Sequence, residues 1–158
     1  MKDLFMLKET EFIKKYIKKI SKNNKYSLNF DDDIAVVDNY AYSTDTISEE
    51  IHFFNDDDPK TIAKKLIRVN VSDLISKGVK PQFCLLNFSS GKLVNKSWLD
   101  SFFRSFHQDL KKYDLTLIGG DTVATRMKTV LSLTIFGKAK SNKIIKRSSA
   151  KISDFIYV

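Results

Sequence analysis

Glycine, proline and cysteine are scarce in this chain. Five Gly and two Pro in 158 residues exclude a flexible linker, a glycine-rich repeat or a low-complexity stretch. The single cysteine, Cys84, lies in the apolar run Phe83-Cys84-Leu85-Leu86. One thiol closes no internal disulfide, and it reads as a core residue of a cytoplasmic protein. No span approaches the roughly 20 apolar residues of a membrane helix. The opening MKDLFMLKETEF mixes charge with apolar residues too early for a secretory signal. What the chain does have is twelve Phe and a hydrophobic content of 42%. At this length that suits one domain able to bury about two-thirds of its unfolded surface.

Charge is abundant but unevenly placed. Lys and Arg number 27 against 19 Asp and Glu, for a net +8. Yet residues 31–58, DDDIAVVDNYAYSTDTISEEIHFFNDDD, hold ten carboxylates and neither Lys nor Arg. Crowded carboxylates raise one another's pKa and strain a fold unless positive charge sits among them. Either a basic partner surface or divalent cations with oxygen ligands would relieve them. Their spread over two predicted strands and a loop, with apolar residues between, favours cations. The basic residues instead fall in pairs, Lys14-Lys15, Lys18-Lys19, Lys64-Lys65 and Lys111-Lys112. All four pairs lie on predicted amphipathic helices, where a solvated face explains them better than nucleic acid does.

Periodicity lays out the elements. Phe12, Ile13, Tyr16, Ile17 and Ile20 predict a helix from Glu9 to about Ser21. Residues 34–37 and 40–46 read as strands joined near Asp38-Asn39 in a hairpin. Asp58 as N-cap and Pro59 at the first helical position begin a second helix that Gly78 should end. Its apolar line Ile62, Leu66, Val69 continues into Asp73, with Asn70 on a neighbouring line. A carboxylate there needs a cation, a cap or an ion pair such as Lys77. A strand at 83–88 and a helix at 97–113 follow, the latter with Trp98, Phe102, Phe106 and Leu110 on one side. Residues 115–118 read as a strand running into Gly119-Gly120-Asp121-Thr122, and 129–137 as another. Short strands are expected at Ile144-Ile145 and from Phe155. The whole is an α+β fold, a mixed sheet of about six strands with helices on one face.

Gly119-Gly120 would let backbone N–H groups approach a ligand, with Asp121 at the strand's carboxyl end. A tight turn capped by Asp is the plainer alternative. Gly91-Lys92 lacks the partner glycine and the Ser or Thr of a phosphate-binding loop. Phosphate chemistry here would therefore rest on metal ions.

Taken in order, several pieces resemble the thiamine-monophosphate kinase family, of the superfamily that includes aminoimidazole ribonucleotide synthetase and selenophosphate synthetase. They are Asp32-Asp33-Ile34-Ala35-Val36, Ser43-Thr44-Asp45-Thr46 with Glu49 and His52-Phe53, and Asp58-Pro59. Then come Val69-Asn70-Val71-Ser72-Asp73, Trp98-Leu99, Gly119-Gly120-Asp121-Thr122 and Arg147-Ser148. The resemblance implies that superfamily's N-terminal domain fold and transfer of the ATP γ-phosphate to thiamine monophosphate, with Mg2+. By position it implies Asp33, Thr44, Asp45, Asp73 and Asp121 as magnesium ligands, with Ser43 as a backbone ligand. It implies His52 beside thiamine monophosphate, and Gly120, Asp121 and Arg147 at the nucleotide. It further implies a homodimer paired through the N-terminal domain sheet.

Some family positions differ here. The glycine before the Asp pair is Asp31, the one before the His-Phe pair is Glu50, and those near Arg147 are Ser149 or Ile152-Ser153. The family enzyme is about twice as long. Residues 1–150 are thus expected to form a metal- and ATP-binding N-terminal domain, and 151–158 the start of a C-terminal domain cut short. A separate chain carrying the C-terminal half would then be a partner. The competing expectation is a non-catalytic domain kept for dimerisation, which the lost glycines favour and the intact Asp45, Asp73 and Asp121 oppose.

Overall fold

The computed structural model describes residues 8–21, 24–92, 94–139 and 144–156. Glu9–Phe12, Ile13–Ile17 and Lys18–Ile20 run end to end as one helix, α1, whose middle turn is wide, with the Lys18 N–H bonded to the Ile13 carbonyl. A short 3-10 turn, Lys25–Phe30, follows. Leu28, Asn29 and Phe30 all have positive φ there, a left-handed stretch unusual for residues with a Cβ. It delivers the chain to the Asp31–Asp33 triplet.

Strands β1 (Ala35–Val37) and β2 (Tyr40–Ser48) form the expected hairpin. Asp38 and Asn39 both have positive φ, as a two-residue turn matched to strand twist requires. Helix α2 (Pro59–Ser76) starts where sequence places it, the Asp58 carboxylate accepting the Lys60 N–H at 2.9 Å. Gly78, with φ of 75°, stops it. Strand β3 (Phe83–Ser90), helix α3 (Lys96–Lys112), strand β4 (Thr116–Ala124) and strand β5 (Val130–Lys138) complete the order.

The sheet has five strands in the order β1-β2-β5-β3-β4, antiparallel except for the parallel pair β3/β4 that α3 connects. A sixth strand is not found among the described residues. Ile144-Ile145 and 155–156 lie outside any ladder, and 157–158 are not among the described residues. Leu131, Leu133 and Ile135 of central β5, with Cys84, Leu86 and Phe88, meet Leu66, Ile67 and Leu74 of α2 and Phe102 and Phe106 of α3 in one core. Trp98, Phe102 and Phe106 stack along α3, with centroids 5.0 Å and 5.8 Å apart. Helices α2 and α3 share one sheet face. The opposite face carries Tyr40, Tyr42, Phe83 and Phe136 at one end, Tyr42 stacked on Phe136 at 5.1 Å, and hydroxyl pairs in the middle. No helix among the described residues is long and apolar enough to cross a membrane.

Gly119-Gly120-Asp121-Thr122 is not a turn. It lies inside β4, just after a register shift opposite Cys84 and Leu85 that accommodates an extra residue. Gly120 is glycine for a packing reason. Its φ is 149°, and a Cβ there would stand 1.8 Å from the Leu86 carbonyl oxygen. Gly120→Ala is therefore expected to break the β3/β4 ladder at this point. Urea unfolding should show a loss of roughly 2 kcal/mol or more; an unchanged midpoint would contradict the packing argument.

Candidate metal and nucleotide site

Strand β1 pairs with β2 only over Tyr40–Tyr42, so from Ser43 onward β2 presents a bare edge. A cleft of about 490 Å³ lies beside it, lined by Asp31–Asp33, Ser43–Asp45, Asp73 and Arg147, with Glu9, Thr10 and Ile13 of α1 across it. The hairpin is short because the chain leaves β1 at Ile34 toward the Asp triplet. The cleft thus gathers the acidic loop, the β2 edge and one turn of α2.

Asn70 anchors this edge. It is fully buried, its Oδ1 accepting the Asp45 N–H at 3.0 Å and its Nδ2 donating to the Leu66 carbonyl at 2.9 Å. An amide side chain takes the place of a neighbouring strand and sets where Asp45 stands. Three positions on, Asp73 accepts the Ser43 hydroxyl at 2.9 Å. Asp73 does not pair with Lys77, as the helix-local alternative had it. The Lys77 ammonium, 4% exposed, turns back under the triplet to Asp32 at 2.6 Å and Asp33 at 3.7 Å.

The acidic stretch is therefore not bare. Lys18 meets Asp31, Lys77 meets Asp32 and Asp33, Arg147 meets Asp33, and Lys128 meets Glu49 and Glu50. Basic residues from outside the stretch supply part of the compensation that its own composition lacks. Glu49, buried, also accepts the Thr129 N–H at 2.7 Å and ties the end of β2 to the start of β5.

Asp45 and Asp73 remain electrostatically exposed to each other. Burial, then the Asp33 charge, pushes Asp45 above the usual carboxylate range, against a hydrogen bond with Asp73. Burial, then the charges of Asp45 and Asp33, raises Asp73, against the Ser43 hydrogen bond. Asp32 goes the other way. Burial alone would raise it, but the Lys77 hydrogen bond, the Arg147 N–H and both cations hold it low.

Of the residues singled out in the sequence, Asp33, Ser43, Thr44, Asp45, Asp73 and Arg147 share the cleft. His52 stands outside its lining, in the turn after β2, its Nδ1 accepting the Ser48 N–H at 3.1 Å. Gly120 and Asp121 do not reach it. Asp121 sits on edge strand β4 in a row with Asn87, Ser132 and Thr46, three strand spacings, about 14 Å, from β2. Among the described residues no three His, Cys, Asp or Glu side chains close into a ready metal cage. The donors nonetheless suit a hard cation. They are carboxylate and hydroxyl oxygens, and Mg2+ takes only one or two carboxylates and keeps several waters. A guanidinium already rests on Asp33.

This arrangement, a carboxylate-lined cleft beside a mixed sheet, has known counterparts. The profile of the AIR synthase related protein, N-terminal domain, matches residues 31–139, and the chain belongs to that family. Within it, the chain is similar to thiamine-monophosphate kinases. It is 36% identical to that of Buchnera aphidicola from Schizaphis graminum over 156 residues, 95% of this chain and 47% of the relative. It is 41% identical to that of Escherichia coli K12 over 118 residues, 75% of this chain and 35% of the relative. The crystal structure of thiamine monophosphate kinase from Aquifex aeolicus superposes with a TM-score of 0.79 at 25% identity, over 94% of this chain and 47% of that one. The chain spans half or less of the length of these curated relatives.

Two expectations follow from the geometry. Asn70→Leu removes the acceptor that holds the buried Asp45 N–H and should cost about 1–3 kcal/mol in chemical denaturation. A cost near zero would mean Asp45 is held otherwise. The second concerns pH. With folded pKa values raised, the stability tied to Asp45 and Asp73 is fully present below about 3.8. It is lost as pH rises through the raised values. In EDTA the double variant Asp45→Asn/Asp73→Asn should melt above wild type at pH 7. The gap should close as pH falls toward about 4; a constant gap would contradict this.

Proposed function

We propose that this chain is the metal- and ATP-binding part of a thiamine-monophosphate kinase, phosphorylating thiamine monophosphate to thiamine diphosphate at the expense of ATP. The observation that carries this reading is the 36% identity over nearly the whole chain, joined to a carboxylate cleft that unites the motif residues. Asp33, Asp45 and Asp73, with Ser43 and Thr44, would hold Mg2+ there. The ions, when bound, neutralise and orient phosphate oxygens for in-line transfer. The chain's own part is positional. Asn70 fixes the β2 edge, Ser43 orients Asp73, and Arg147 stands at the cleft mouth, where its guanidinium can meet nucleotide phosphates. His52, with its Nδ1 engaged by Ser48, is the residue proposed to face thiamine monophosphate.

Residues 1–150 are proposed to form the functional domain, with 151–158 leading toward the half that the relatives carry beyond it. Homodimerisation through the sheet completes the reading. The face away from α2 and α3 bears the Tyr40, Tyr42, Phe83 and Phe136 cluster, and Leu117, Ile118 and Val123 of edge strand β4 are exposed. A second copy on this face gives Gly120 and Asp121 a route to a neighbour's Asp45, which one chain does not provide.

The test has two arms. Millimolar MgCl₂ should raise the melting midpoint above that in EDTA, since a ligand at a hundred times Kd stabilises by about 2.7 kcal/mol. Identical midpoints would reject the metal site. Purified alone, the chain is expected to form no thiamine diphosphate, because half of the contacts that position a reaction leave much of its barrier standing. Supplying the C-terminal half of a relative should restore turnover. Steady product formation by the chain alone would overturn the half-site reading.

A further inference from the structure

Two carboxylates side by side in the acidic triplet are held in very different ways. The Asp32 side chain is 5% exposed and engaged twice through Oδ1. It takes the Lys77 ammonium at 2.6 Å and the Arg147 backbone N–H at 3.1 Å. The Asp33 side chain is 32% exposed and lines the cleft; its Oδ2 lies 3.7 Å from the Lys77 ammonium, and its Oδ1 holds the guanidinium of Arg147, whose side chain is 64% exposed. The first contact is sealed from water, whereas the second lies in solvent and is open to exchange.

We infer that Arg147 is an internal, exchangeable cation. Its guanidinium neutralises Asp33 while the cleft is empty of metal and leaves it when a divalent cation binds, while its backbone stays anchored on Asp32. This rests on the magnesium reading above and adds to it. Three features support it. Asp33, Asp45 and Asp73 line one cleft, so a divalent cation held among them meets the guanidinium already seated on Asp33. The carboxylates do not close into a metal cage among the described residues, as expected if one is still turned toward a guanidinium. The anchor does not depend on the side chain. Asp32 binds the Arg147 N–H, and the Ile145 N–H reaches the Lys77 carbonyl at 3.4 Å. A released guanidinium thus remains tethered at the cleft mouth.

Competition of this kind has a signature that a merely structural ion pair lacks. Arg147→Gln keeps the backbone anchor and removes the competing charge. Manganese titration followed by electron paramagnetic resonance should show the variant binding Mn2+ more tightly than wild type, by roughly two- to fivefold, the range set by an exposed ion pair. Mass spectrometry supplies the second readout. Phenylglyoxal should modify wild-type Arg147 faster in MgCl₂ than in EDTA, with exposed Arg126 as the internal reference. Equal or weaker Mn2+ binding by the variant, or a modification rate indifferent to MgCl₂, would overturn the exchange and leave the metal site standing. Absence of Mn2+ binding by wild type would overturn both. A melting curve for the variant in EDTA checks that it is folded.

Discussion

A lysine ammonium sealed beneath an acidic loop holds the cleft end of this molecule together. Lys77 leaves the last turn of α2, is 4% exposed, and reaches Asp32 at 2.6 Å. Asp32 in turn takes the backbone of Arg147. Three segments distant in sequence, the triplet at 31–33, the end of α2 and the strap at 144–147, thereby converge on one ion pair. Such a pair contributes little net stability, because desolvation offsets much of the attraction. Removing one partner is another matter, since the survivor stays buried and unpaired. The pair therefore acts more on geometry than on stability, and the geometry it sets is that of the cleft.

The sheet supplies the other half of that geometry. Because β1 is short, β2 runs past its partner and leaves an edge at Ser43–Asp45. Exposed edges are a hazard, offering unpaired N–H and C=O groups to any neighbour. Here the edge is managed from inside. Asn70 caps the Asp45 N–H, and the acidic loop and α1 stand across the remainder. The same feature that would invite aggregation becomes a place where backbone and carboxylate oxygens lie within reach of a cation. Glu49 closes the far end by tying β2 to β5.

Much of the fold was legible in the sequence, for local reasons. Asp58-Pro59 and Gly78 bracket α2, because an N-cap carboxylate, a fixed φ and a left-handed stop act within a turn of where they stand. Asp38-Asn39 marks the hairpin on the same grounds. Misreadings arose where a local signal had two meanings. Gly119-Gly120 suggested a turn, yet Gly120 is glycine because β4 passes so close to the Leu86 carbonyl that no Cβ fits. Asn70 carried its own signal, a polar residue among buried positions of α2, but nothing local says that its partner is the Asp45 backbone, 25 residues away.

The sequence by itself determined which chemistry is available: a block of ten carboxylates without a cation among them, spaced by apolar residues that force some of them toward the interior. It also determined the kinship, since the ordered motifs survive at 36% identity. Only the tertiary structure decided how that charge is answered. Lys18, Lys77, Lys128 and Arg147 lie between 13 and 114 residues from the carboxylates they pair with. No periodicity or spacing specifies a pairing across such separations. Ion pairs form between groups that packing brings within a few ångströms, and packing is decided by the burial of the Leu, Ile and Phe side chains of β5, α2 and α3. Charge composition is written along the chain, whereas charge neutralisation is a property of the folded core that places those charges side by side.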